Sequence, residues 1–255
     1  MWVRGYIVYI YMSDSIASFR RHLEDLNIEF DFVDGPFEST PGRGVDIFYE
    51  PPYYSFYDGE SLDSIQKANE WFMRYIAQHG PYDAVLSFSQ GCALVFSTLL
   101  VHAAETPHLP LPFKAAVFIC GGPVFTVAES VGYVMPEETK ARDMQSRKDL
   151  KVQASSEAIL AQGANRWAGT NKLAVSDEDL RAEIQGPVKI DIPTVHIYGD
   201  KDPRYAAGVQ LEAFCNLNKA RSFNHEGGHD IPRRDVISRQ IAWLVRTALE
   251  EAGLV

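Results

Sequence analysis

The segment AVLSFSQGCALVF, residues 84–96, begins as a mostly apolar run, turns on Ser89 and resumes at once as an apolar helical pattern. A strand ending at Phe88 and a helix starting near Gln90 leave one residue for the change of direction, so the flanking positions must be small. Ser87 and Gly91 meet that need. They give small-x-Ser-x-small, a relaxed form of the GxSxG turn that projects a serine at the C-terminal edge of a sheet. The bend also sets the backbone N–H of Gln90 at a helix N-terminus, where it can donate to a developing oxyanion. The competing reading is that Ser89 caps the helix, because a serine oxygen readily accepts from first-turn amides.

Around this turn the chain alternates β-branched runs with helical stripes, the pattern of βαβ units. Strands are predicted at residues 6–11, 28–33, 84–88, 115–119, 194–198 and 221–224. Leu62, Ile65, Phe72 and Ile76 share one helix face, as do Ile237, Ile241, Leu244 and Ala248 near the end of the chain. The expected class is α/β, a mostly parallel twisted sheet with helices on both faces. Residues 124–186 break the rhythm with the polar run EETKARDMQSRKDLKVQ and short helical pieces, without the makings of a second core. The 255 residues are therefore read as one α/β domain with a small cap inserted over about 124–186.

Charge narrows the partners. A formal net charge of -10 repels a phosphate backbone or an anionic lipid surface, which argues against nucleic acid and membrane partners and leaves small-molecule ligands. The apolar run at residues 5–12 is far shorter than the roughly 20 residues that span a bilayer and lacks a signal-peptide layout, so a cytoplasmic protein is expected. Three cysteines, Cys92, Cys120 and Cys215, are widely spaced within apolar segments, which reads as buried free thiols and no metal site.

A serine needs a base, and the base needs something to orient it. In the chain order Ser, Asp, His, the acid follows a later strand. After TVHIYG comes DKDPRY, with Asp200 and Asp202 both at the same rim of the sheet. Asp202 is favoured because the intervening turn lets the later carboxylate fold over the sheet edge, and Asp200 remains the competitor. The next strand leads into HEGGHDIPRR, where two glycines allow His229 to return across the edge, with His225 as the alternative base. The cluster Tyr53, Tyr54, Phe56 and Tyr57, with Trp167 from the inserted region, supplies aromatic surface suited to a conjugated or aryl acyl group, or equally to packing beneath the cap.

At FDFVDGPFES, PPYYSFYDGESLDSI, GPYDAVLSFSQGCAL, FICGGP, HIYGDKDP and HEGGHDIPR the sequence resembles the fungal FSH-type serine hydrolases, compact members of the α/β-hydrolase superfamily. The resemblance implies Ser89 as nucleophile, Asp202 as acid and His229 as base, with no cofactor. It also implies ester or thioester cleavage, and the YYSFYDG form is similar to the branch that releases or trims chains beside polyketide synthases in secondary metabolism. The partner would then be an acyl substrate, free or carrier-bound on such a synthase. Ser87 stands where the family has glycine and is expected to be accommodated. The family's HG-Y/F/W-G loop, which supplies a second oxyanion N–H, is matched by Arg4-Gly5-Tyr6, implicating Gly5 and Tyr6. If instead the strand occupies residues 6–11, the donor loop is rebuilt around Met12 and Ser13. Two other readings keep the fold: a cyclase, lyase or C–C hydrolase using His229 as general base, and a polyketide-binding protein with impaired turnover.

Overall fold

A computed structural model describes residues 5–10, 16–41, 45–47, 50–59, 61–167 and 175–255. Among the described residues the chain runs β1 (Gly5–Ile10), α1 (Ala17–Arg20), β2 (Ile28–Phe32), β3 (Phe37–Ser39), β4 (Tyr53–Ser55), α2 (Leu62–His79), β5 (Ala84–Phe88) and α3 (Gln90–Glu105). It continues through β6 (Ala115–Ile119), α4 (Phe125–Ser130), α5 (Glu137–Gln153), α6 (Ser156–Gln162), α7 (Asp177–Ala182), β7 (Thr194–Tyr198), α8 (Tyr205–Glu212), β8 (Ala220–Asn224) and α9 (Asp235–Glu251). Six strands form one sheet in the order β2-β1-β5-β6-β7-β8, and every pairing in it is parallel. This is an α/β-hydrolase arrangement, with each strand's C-terminal end on one rim.

Both faces of the sheet are covered, which is why its central strands read as unbroken apolar runs instead of alternating ones. Val85, Ala116 and Phe118 point into the core made with α2 and α3, beside Phe72, Phe96 and Phe214. Their neighbours Ala84, Leu86, Phe88, Val117 and Ile119 point the other way, against Phe19 and the Ile241, Leu244 and Val245 stripe of α9. Each large side chain sealed in this way contributes about 1.5–3 kcal/mol. The helix α3 lies in the middle of the first core and is buried along most of its length, from Gly91 to Leu100.

The polar run of residues 137–153 is the helix α5. It buries only Thr139 and Ser146, so it has no apolar stripe. Ion pairs to other elements hold it instead, Arg142 meeting Glu183 and Lys140 meeting Glu129, while Arg147 meets Asp143 one turn away within the helix. The following helices start on serine caps, Ser155 accepting from the Ala158 amide and Ser176 from the Asp179 amide. Among the described residues no helix is long and apolar enough to cross a membrane.

Two short strands were not anticipated. β3 and β4 pair antiparallel within the connection between β2 and α2, and the chain leaving β4 carries Phe56 and Tyr57 back over the end of β5.

Candidate active site

Ser89 follows the last residue of β5 and precedes the first of α3, with φ 50° and ψ -113°. A side chain in that left-handed region is crowded by its own backbone. The ladder holds it there: the Ser89 N–H donates to the Ile119 carbonyl at 3.0 Å, and the Ser89 carbonyl accepts from the Cys92 N–H at 3.0 Å. The hydroxyl makes no capping bond to the helix. It lies 2.8 Å from His229 Nε2.

Two further left-handed residues without a glycine's freedom sit on the same rim, Cys120 (φ 49°) just past β6 and Glu226 (φ 59°) past β8. Glu226 opens the loop that carries His229. His229 Nδ1 lies 2.7 Å from Asp202 Oδ2, and the two side chains are 9% and 1% exposed. The second oxygen of Asp202 accepts from the Arg204 backbone N–H at 2.7 Å, so both carboxylate oxygens are engaged. Phe88 packs against the imidazole at 5.2 Å between ring centres.

The competitors are placed elsewhere. Asp200 is exposed, its N–H donating to Asn224 Oδ1. His225 is buried at the end of β8, which holds its imidazole below the usual histidine pKa, and its Nε2 is 3.9 Å from Cys120 Sγ. Cys120 Sγ, a carboxylate oxygen of Asp202 and a ring nitrogen of His229 lie within 4.8 Å of one another, the spread of a metal cluster. The 2.7 Å between Asp202 Oδ2 and His229 Nδ1 is a hydrogen bond. Two such ligands on a tetrahedral zinc, each at ~2.0 Å, would stand about 3.3 Å apart. Burial, with Asp202 and Asp230 nearby, also raises the Cys120 thiol pKa well above its ordinary value, and the thiol donates to the Asp230 carbonyl at 3.4 Å.

The serine in place of a glycine at position 87 has found a bond. Its Oγ donates to the Val117 carbonyl at 3.0 Å and touches Cys92 Sγ at 3.3 Å, all within a fully buried pocket. Cys92 is likewise inert, its thiol pushed up to about 12 by burial.

Gln90 has a role that its sequence position did not signal. As the first residue of α3 it has a backbone N–H without an intrahelical partner, facing the same rim as Ser89. Its side-chain amide accepts from the Phe56 N–H at 3.2 Å and donates to the Tyr57 carbonyl at 3.1 Å, fastening that segment beside the serine turn. Phe56 and Tyr57 are buried in the core, Phe56 against Trp71 at 6.2 Å, whereas Tyr53 is half-buried and Tyr54 exposed on β4. Trp167 is buried with the five-membered part of its indole over Gly228, the residue before His229.

Gly5 and Tyr6 are not beside the serine. They begin β1, where Gly5 pairs with Ile28 and Tyr6 with Glu29. The register aligns Ile10 with Ser87, so Gly5 lies five residues, about 16 Å, toward the opposite rim. Strand pairing has claimed the backbone that the loop match required. The alternative donors Met12 and Ser13 lie outside the described residues.

The comparisons with known proteins agree with this architecture. The chain is 28% identical over 206 residues to the esterase FPY3 of Fusarium mangiferae, covering 80% of this chain and 74% of that protein. It is 26% identical over 229 residues to the hydrolase FUB4 of Fusarium oxysporum f. sp. lycopersici, covering 80% and 81%. Among solved structures, a carboxylesterase from Mesorhizobium loti superposes with a TM-score of 0.51 at 16% identity, covering 95% of this chain and 89% of that one, and an α/β hydrolase from a lagoon-sediment metagenome does so with 0.51 at 12%, covering 99% and 94%. The family model described as Serine hydrolase (FSH1) matches residues 10–241, and the chain belongs to that family.

Proposed function

We propose that this serine hydrolase cleaves esters or thioesters through an acyl-enzyme on Ser89, with His229 as base and Asp202 as its orienting acid. The observation that carries the reading is the imidazole bridging Ser89 Oγ at 2.8 Å and Asp202 Oδ2 at 2.7 Å. His229 Nε2 takes the hydroxyl proton as Oγ attacks the carbonyl carbon. Asp202 accepts from Nδ1–H, which fixes the tautomer and stabilises the imidazolium. The Gln90 N–H receives the oxyanion. His229 then returns the proton to the departing alcohol or thiol, and water repeats the sequence to free the acid and restore Ser89.

The names of the Fusarium relatives, an esterase and a hydrolase, favour acyl transfer over the cyclase and lyase readings. We read the connection over residues 124–186 as a cap above the site. Trp167 in that connection and Phe56 and Tyr57 beside the serine turn put aromatic side chains near Ser89, which favours a polyketide-type acyl chain, free or carrier-bound. Reaction with a fluorophosphonate, followed by intact mass, tests the chemistry. One adduct on the wild type, lost in Ser89→Ala and His229→Ala, is expected. A folded wild type that takes no adduct would refute the nucleophile and leave the turn as architecture for a binding protein.

A further inference from the structure

The indole of Trp167 is buried to 5% exposure, yet among the described residues its Nε1 has no hydrogen-bond partner. The preceding residue repeats the anomaly: the Arg166 Nε is also buried and unpartnered, while its guanidinium lies over the Trp167 ring at 4.5 Å. Buried N–H groups are nearly always satisfied, so two adjacent donors without acceptors call for an explanation. Their location supplies one. An ideal Cβ on Gly228 would fall 2.3–2.5 Å from Cγ, Cδ1 and Cδ2 of Trp167, so the half of the indole that bears Nε1 rests on the backbone one residue before His229. Only a glycine lets the ring approach so closely.

The donors also end a segment that contributes little to the core. The helix α6 contributes no buried residue, and in the 3-10 turn Gly163–Trp167 that follows it Trp167 alone is buried. The ring is thus placed against the base-bearing loop, although little else in its segment packs inward. An apolar acyl chain would leave both N–H groups desolvated and unmatched, whereas a chain bearing a ketone or hydroxyl oxygen would satisfy them.

We infer that Trp167 is a specificity-determining residue: its Nε1–H donates to an oxygen on the acyl chain, with Arg166 alongside, so the site selects oxygenated acyl groups over saturated ones of equal length. This rests on the hydrolase reading above and adds the chemistry of the chain and the group that recognises it.

The test compares p-nitrophenyl hexanoate, 4-oxohexanoate and 5-oxohexanoate on the wild type and on Trp167→Phe, which keeps an aromatic ring and removes the N–H. In the wild type at least one oxo ester is expected to exceed the hexanoate in kcat/KM, and that preference should fall about 3- to 10-fold in the variant, the worth of one neutral hydrogen bond. Because the preference is a ratio within each protein, it does not depend on the folded fraction, and dividing variant by wild type cancels the intrinsic reactivity of the esters. The inference is overturned if no oxo ester gains over the hexanoate in the wild type, or if the gain survives in Trp167→Phe, as it would if a bound water satisfied the indole. Fluorophosphonate labelling of the same samples separates the two levels. A labelled, active enzyme with an unchanged ratio removes the role of Trp167 alone, and an unlabelled, inactive one removes the hydrolase reading as well.

Discussion

Replacing Arg204 by methionine tests how the connection between β6 and β7 is fixed to the turn that bears Asp202. Arg204 Nη1 donates to Asp143 Oδ1 at 2.5 Å, to the Asp143 carbonyl at 3.2 Å and to Ser146 Oγ at 2.8 Å, joining that turn to α5. The two charged side chains are 7% and 11% exposed. Removing one partner of a buried pair costs about 3–5 kcal/mol, because the other charge remains desolvated. Arg147 stays on the second oxygen of Asp143 at 2.7 Å, so the lower end applies, about 3 kcal/mol. That is roughly a 150-fold change in the unfolding equilibrium. For 255 residues the unfolding entropy is about 0.5 kcal/mol per kelvin, and the melting temperature should fall by about 6 °C. The Arg204 backbone N–H that donates to Asp202 survives the substitution, so at low temperature fluorophosphonate should label Ser89 at nearly the wild-type rate. Adding Asp143→Leu should recover part of the loss, since well-packed apolar groups replace a buried pair at little cost. Urea unfolding followed by tryptophan fluorescence, with calorimetry for the midpoint, reads all three proteins. A single variant that melts with the wild type, or a double variant less stable than the single, would refute the argument.

Three shorter expectations follow from the same geometry. In Asp202→Asn the amide oxygen keeps the bond from the Arg204 N–H, which turns the NH2 toward His229 Nδ1 and puts the imidazole proton on Nε2, where it cannot accept from serine; ester hydrolysis should drop about 10³–10⁴-fold, and a loss below tenfold would count against the orienting role. His196 is buried and its pKa is depressed to about 3. The unfolded chain therefore takes a proton below its ordinary 6.5 that the native state refuses, so stability is full above that value and erodes toward pH 3 at up to ~1.4 kcal/mol per pH unit. His196→Phe, facing Phe118, should flatten that slope in urea titrations, and an unchanged slope would assign the loss to other groups. Finally, a Cβ on Gly199 would fall 2.1 Å from the Gly227 carbonyl oxygen, so Gly199→Ala must push the His229 loop outward and slow labelling by about 10²-fold, the effect of a displacement near 1 Å; wild-type labelling would show that the loop position is not critical.

The parts of this fold that the sequence displays are those whose burial is simple. β5, β6 and β7 lie within the predicted bounds because both of their faces are sealed and all their residues but His196 are apolar or small. The meeting of Ser89, Asp202 and His229 could be anticipated because each follows the C-terminal end of a parallel strand, and parallel pairing brings those ends together. The helix α5 was hidden because charged pairs, not an apolar stripe, attach it. β3 and β4 are three residues each and too short for alternation to register. Gly5 and Tyr6 were misplaced because a local motif match says nothing of register, and the pairing of Ile7 with Ala84 fixes where β1 lies along β5. The bond from the Phe56 N–H to Gln90, 34 residues away, has no spacing that a sequence could show.

The three left-handed residues Ser89, Cys120 and Glu226 carry a consequence for how such a chain would evolve. Each holds a side chain where glycine would sit without strain, at about 1–2 kcal/mol apiece, together about 3–6 kcal/mol against a net domain stability of about 5–15 kcal/mol. All three lie on the rim that bears the serine and the histidine loop, and none lies within a sheet strand or the body of a helix. Selection for fold alone would let them drift to glycine, beginning with the exposed Glu226. A descendant of this chain that had lost its chemistry should therefore betray the loss first as relaxed glycines along this rim, while its core stayed intact.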